Sequence, residues 1–173
     1  MASYYYLISS LPMLKTDGTI PMSFEEFLEQ CKSNVSAATY QSLCDLESPT
    51  NGHPMLKEWS RFMNALVEEA TFQRKLKLGK PASPPDNRES EIANTVAAAL
   101  AAKNPLISEQ ILLDLEFRKV DSMLGLHSFD EYFLFAYAIK LKLLERQTVF
   151  KQEDGSSEFR ALFNGVKNQI LSM

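Results

Sequence analysis

Glu116, Arg118, Lys140, Lys142, Glu145 and Arg146 are charged side chains set among bulky apolar neighbours. Charge in such company does one of two things. If partly buried and paired, it forms a polar network that fixes the register of two helices or receives a partner; otherwise the Lys and Arg stems cover apolar surface and carry their charge out to water. The nucleophiles and metal ligands make a poorer set. Zinc takes its ligands in local pairs, yet Cys31 and Cys44 are 13 positions apart and His53 and His127 are further apart still, so neither a metal nor a cofactor is expected. None of the six glycines belongs to a GxGxxG or Walker run, which removes the usual phosphate cradle. No serine or histidine stands in an elbow or triad context. One catalytic arrangement stays open, in which folding brings Glu116, Asp121 and His127 into a single pocket. The compact basic run Arg74, Lys75, Lys77 and Lys80 offers contact to an acidic partner or to lipid head groups, against the simpler alternative of a solvated helix end.

These side chains need a frame, and the composition supplies the material for one. With 173 residues and 45% hydrophobic content, the chain reads as one helical domain, residues 1–173, burying roughly 70% of its unfolded surface. A charged fraction of 23% and a net charge of -4 imply no strong field, so nucleic acid is not an expected partner. Two cysteines, and a start without a basic segment or cleavage site, point to a reducing cytoplasm. The longest apolar run, Tyr132 to Ile139, is broken at Lys140 and Lys142, short of the ~20 residues that cross a bilayer.

Periodicity and punctuation place the helices. Tyr4 to Ile8 is too short to decide between a strand and a helical turn. Ser23 with Glu26 forms a capping box ahead of Phe24, Phe27 and Leu28, and a second helix over Ser36 to Leu46 pairs with the first as a hairpin. Leu56, Trp59, Met63, Leu66 and Ala70 recur at three and four, one apolar face of a long helix over Met55 to Leu78. Gly79 and Pro81 end it, and the stretch 79–87 has the composition of a loop or hinge. Arg88 to Ala102 is alanine-rich, its Ala97 to Ala102 run suited to close packing. Asn104-Pro105 caps the next helix, whose Leu113, Phe117, Val120 and Leu124 form a stripe and whose first half is expected to be widely buried. Gly125 closes it. Ser128 with Glu131 predicts a second capping box, opening an apolar helix from Phe129 to Phe150, with Gly155 stopping it and a last helix beginning near Ser157. The aromatics Trp59, Phe62, Phe133, Phe135 and Tyr137 fall at helical spacing and read as core. The fold class is therefore all-α, a multi-helix bundle of antiparallel hairpins.

Two stretches resemble known families. The Lys142-Leu143-Leu144-Glu145-Arg146 run, followed by a glycine-bearing turn and Phe159, Leu162 and Phe163, is similar to the C-terminal end of the C/d family of V-type ATPase subunits. Over nearly its full length the chain resembles an uncharacterised bacterial family with a Tyr-rich Leu-Ile-Ser-Ser-Leu-Pro-Met-Leu start, here Tyr4 to Leu14, a Phe-Leu helix, here Glu26-Phe27-Leu28, and a late Lys-Leu-x-x-Leu-Glu-Arg, here Lys140 to Arg146. Genes of that family occur in operons encoding bacterial V-type ATPases. The resemblance implies a helical, non-catalytic subunit or accessory protein of a proton- or sodium-transporting complex, peripheral to the membrane through its partners. Those partners would be the central-stalk subunits or the membrane rotor ring, with Lys142, Glu145 and Arg146 as candidate contacts. Members of the C/d family are considerably longer chains of related helical portions, so this sequence can represent only a reduced version or an assembly factor. The rival readings are a scattered-site hydrolase or transferase and a general helical scaffold.

Overall fold

The computed structural model describes residues 4–16, 19–46 and 52–148. Seven helices stand among them: α1 Tyr5–Ser10, α2 Phe24–Lys32, α3 Ala37–Cys44, α4 Pro54–Lys77, α5 Ser90–Ala101, α6 Pro105–Leu124 and α7 Glu131–Thr148. The opening Tyr-rich run is thus helical, with Leu7 and Ile8 buried. The predicted turn at Gly155 and the helix near Ser157 lie outside the described residues.

Local chemistry sets most of the boundaries. Ser23 accepts from the Glu26 N–H at 3.1 Å while the Glu26 carboxylate accepts from the Ser23 N–H at 2.8 Å, the reciprocal capping box. Ser36 caps α3 through the Thr39 N–H, and Asn104 caps α6 through the Leu106 N–H with Pro105 in the first turn. Helix α4 ends in a Schellman arrangement: Gly79 takes φ 66°, its N–H reaches the Leu76 carbonyl, and the Lys80 N–H reaches that of Lys75. The start of α7 departs from expectation. Its cap is Asp130, whose carboxylate accepts from the Phe133 N–H at 3.3 Å, while the Ser128 hydroxyl turns to the Leu126 carbonyl. Both residues are competent caps, and the two-residue difference places Phe129 outside the helix, 46% exposed.

Two apolar cores result. The larger gathers Leu7, Phe27, Leu43, Leu56, Leu113 and Val120 around α7. Residues Leu134 to Ile139 of α7 are all buried, more than a full turn, so over this stretch the helix is enclosed on every side. The smaller core packs Phe62 and Leu66 of α4 against Ile92 and Val96 of α5 and Leu115 of α6, and Trp59 borders both. Helix α6 serves the two cores with different faces. Burial in α6 falls in its middle, Leu113 to Val120, and not in its first half, where Leu106 and Ile107 stay exposed. In the alanine run Ala99 is buried, whereas Ala97, Ala98 and Ala101 face out.

The ion pairs and hydrogen bonds give the helix directions. Lys140 meets Asp121 and Gln147 meets Gln110, so α6 and α7 are antiparallel; Ser108 meets Ala99 and Arg118 meets Glu91, so α5 and α6 are too. Helices α4 and α5, in contrast, run parallel: Arg88 meets Glu69, Gln73 meets the Ala93 carbonyl, and Lys77 meets the Leu100 carbonyl, advancing in step. The 79–87 stretch is the non-helical return, bringing the chain back about 12 Å from the level of Lys77 to that of Glu69, the rise of the helical residues between them.

Candidate functional site

The six charged residues singled out above do not gather into one site; the structure places them in three attachments. The first lies between α6 and α7. Glu116, 1% exposed, takes the Arg146 guanidinium as a fork, Nη1 to Oε1 at 3.1 Å and Nη2 to Oε2 at 2.6 Å, and Arg146 Nε donates to Glu109 at 2.9 Å. This planar two-bond match is the strong form of a carboxylate–guanidinium contact. Burial pushes the Glu116 carboxyl above its usual range, against the pull of Arg146. One turn away, Gln147 donates to Gln110, which donates to Asp114. At the other end of the same interface Lys140 donates to Asp121 at 2.5 Å and lies 5.3 Å over the Phe117 ring.

The second attachment joins α7 to α2. The Glu145 carboxylate accepts from the Phe24 N–H at 2.6 Å. It thereby supplies an anion to the first turn of α2, where the helix leaves N–H groups unsatisfied, and Lys142 sits 4.8 Å over the Phe24 ring. The third is an exposed pair, Arg118 with Glu91 at 3.5 Å, a contact of small energetic weight.

A further charged group is not singled out by the sequence. Glu69 is buried on α4 and held by the Arg88 guanidinium through Nε and Nη2 and by the Gln73 amide; Arg88 also lies 5.3 Å over the Phe72 ring. The Arg88 bonds hold the Glu69 carboxyl below its usual range, against burial. The available signal is positional: Glu69 and Gln73 continue the stripe of Phe62 and Leu66 at steps of three and four, so the apolar face of α4 turns polar where it meets Arg88.

The two histidines, distant in sequence, both contact the Tyr132 ring. His127 stacks on it at 4.1 Å and pairs with Asp130; His53 meets it edge-on at 4.7 Å, lies 4.4 Å from Phe135, and has Nε2 3.4 Å from the Glu131 carboxylate. Glu131 also accepts from Thr39. Among the described residues no group of three or more His, Cys, Asp and Glu is placed to hold a metal ion.

Comparison with protein-family models, curated proteins and solved structures gives no match. Chemistry must therefore be judged on geometry alone, and the three groups of the catalytic alternative take separate partners: Glu116 is closed by Arg146, Asp121 pairs with Lys140, and His127 with Asp130. Glu116 is closed to a substrate by its 1% exposure as much as by the guanidinium fork, which takes one bond on each of its oxygens. What the arrangement does well is lock helices: α7 is tied by charge to α6 and to α2 along the same stretch that carries its apolar contacts.

Proposed function

We propose that this chain is a non-catalytic accessory protein or reduced adaptor subunit of a bacterial V-type ATPase, binding the central-stalk subunits or the membrane rotor ring and serving proton or sodium transport. The observation that carries the reading is the resemblance of Tyr4 to Leu14 and of Lys140 to Arg146 to a family encoded with those complexes. Its physical support is rigidity. An adaptor between moving subunits transmits force only if its own helices do not slide, and charge-assisted bonds join α7 to both α6 and α2. Both resembling segments also belong to the larger core, and Leu14 and Lys140 line one open cleft together with Phe117 and Asp121. Among the described residues no helix is long and apolar enough to cross a membrane, so contact with a rotor ring would be made from outside the bilayer. Arg146 and Glu145 hold the module together on this reading, and partner contact falls to exposed surface around them.

The test is co-elution of the purified full chain with isolated central-stalk subunits and, separately, with the detergent-solubilised rotor ring. A stable complex with one of them at micromolar concentration is the expected result. Failure to bind either rejects the proposal.

A further inference from the structure

The parallel packing of α4 and α5 has an electrostatic result at one end of the bundle. Parallel helices finish together, so the cations closing α4, Arg74, Lys75 and Lys77, lie beside the end of α5, where Lys77 donates to the Leu100 carbonyl at 2.7 Å. Lys80 comes three residues after Lys77 and Lys103 three after Leu100, just beyond the ends of the two helices. The start of α6 joins them, because Ser108 donates to the Ala99 carbonyl. Four aliphatic side chains stand exposed on these segments: Leu76 at 52%, Leu78 at 70%, Leu106 at 43% and Ile107 at 53%.

Three features separate this end from an ordinary solvated helix terminus. No Asp or Glu occurs from Ala70 to Pro85 or from Ala97 to Ser108, so five cations meet no counter-charge in their own segments although the whole chain carries a net charge of -4. The nearest carboxylate along α6, Glu109, is taken by Arg146. Arg74, Lys75, Lys80 and Lys103 pair with no carboxylate among the described residues, and they stand together at one end, whereas Arg88, Arg118, Lys119, Lys140 and Arg146 are each paired and Lys15, Lys57 and Arg61, which also lack a carboxylate, lie outside these segments. Finally, leucines alternate with cations through Arg74-Lys75-Leu76-Lys77-Leu78 and remain in water, which costs free energy that a partner of mixed character would recover.

We infer that this end of the α4–α5–α6 bundle docks on an anionic lipid bilayer surface, the cations over the phosphate layer and Leu76, Leu78, Leu106 and Ile107 entering the headgroup–acyl boundary. A bilayer surface presents negative charge and apolar depth side by side, which is the pairing of exposed groups found here. Docking of this kind is independent of the proposed function, since it needs only the exposed groups of this end.

The test is co-sedimentation of the full chain with vesicles of phosphatidylcholine alone and of phosphatidylcholine mixed with phosphatidylglycerol. Binding is expected to the mixed vesicles only, and to weaken with added salt. The variant carrying Arg74→Gln, Lys75→Gln, Lys80→Gln and Lys103→Gln, none of which removes a side-chain bond seen among the described residues, should bind about a thousandfold more weakly. The variant carrying Leu76→Ser and Leu78→Ser should lose about tenfold with the cations intact. Circular dichroism of each variant confirms that helix content is unchanged. Equal binding to both vesicle types, no binding to either, or undiminished binding by the charge variant overturns the inference. Binding to soluble polyglutamate with none to vesicles assigns the surface to an acidic protein instead and overturns it as well.

Discussion

Replacing Arg146 by Ala removes the fork from a carboxylate that is 1% exposed and accepts two guanidinium bonds, at 3.1 and 2.6 Å. The remaining Glu116 must then stay charged without a partner or take up a proton, and breaking a buried pair in this way costs about 3–5 kcal/mol. That is a large part of the roughly 5–15 kcal/mol that holds an average domain together. In a urea titration followed by circular dichroism, with a slope of about 2 kcal/mol per molar, the midpoint should fall by about 2 M. The double variant Glu116→Met with Arg146→Met keeps side-chain volume and removes both charges, and should lie within about 1 kcal/mol of the parent. The pH dependence supplies an independent check. Burial already raises the Glu116 carboxyl, and without Arg146 the folded state protonates at higher pH than the unfolded one, so the single variant should regain stability as pH falls through that range. A loss below about 1 kcal/mol, the value of an exposed pair, would refute the reasoning. So would a double variant whose cost equals the sum of its two singles.

Other expectations follow from the same geometry. Burial lowers the His53 pKa from its ordinary 6.5 despite Glu131, so the unfolded state takes up the proton first and stability should decline as pH drops below about 6.5; His53→Gln should flatten that slope in denaturant titrations between about pH 7.5 and about pH 5.5, and an unchanged slope removes His53 as its source. Cys31 is fully buried, its thiol pushed up to about 12 mainly by burial, whereas Cys44 is exposed; a thiol reagent should therefore label one cysteine quickly and the other only on unfolding, and equal rates contradict the packing of α2 against α3. The Tyr137 hydroxyl is buried with no hydrogen-bond partner among the described residues, so Tyr137→Phe should leave stability unchanged or raise it by about 1 kcal/mol, read as a higher urea midpoint; a loss of that size would mean the hydroxyl is bonded.

Much of the helical layout is legible in the sequence because its determinants are local. The Ser23–Glu26 box, the Asn104-Pro105 start and the Gly79 stop act within four or five residues, and the steps between Leu113, Phe117 and Val120 report one face of one helix whatever lies opposite. The start of α7 is not legible in this way. Ser128 and Asp130 are both competent caps, and choosing between them depends on where Phe129 is needed, beside the Tyr5 ring at 4.9 Å, a contact with α1 made across the chain.

The charges divide along that line. Their presence on α6 and α7, and their setting among apolar neighbours, are properties of the amino-acid sequence alone, as are the all-helical class and the want of a long uninterrupted apolar span. Which carboxylate each cation meets is decided only by tertiary structure. Arg146 reaches Glu116 because α6 and α7 run antiparallel, Glu145 caps α2 from more than a hundred residues away, and Glu69 is buried because an extended linker returns Arg88 to it. Side-chain periodicity fixes which face a residue occupies, but the direction in which the next helix runs depends on the path of the connection between them. In this chain that path sets α4 and α5 parallel, and so gathers five cations at one end.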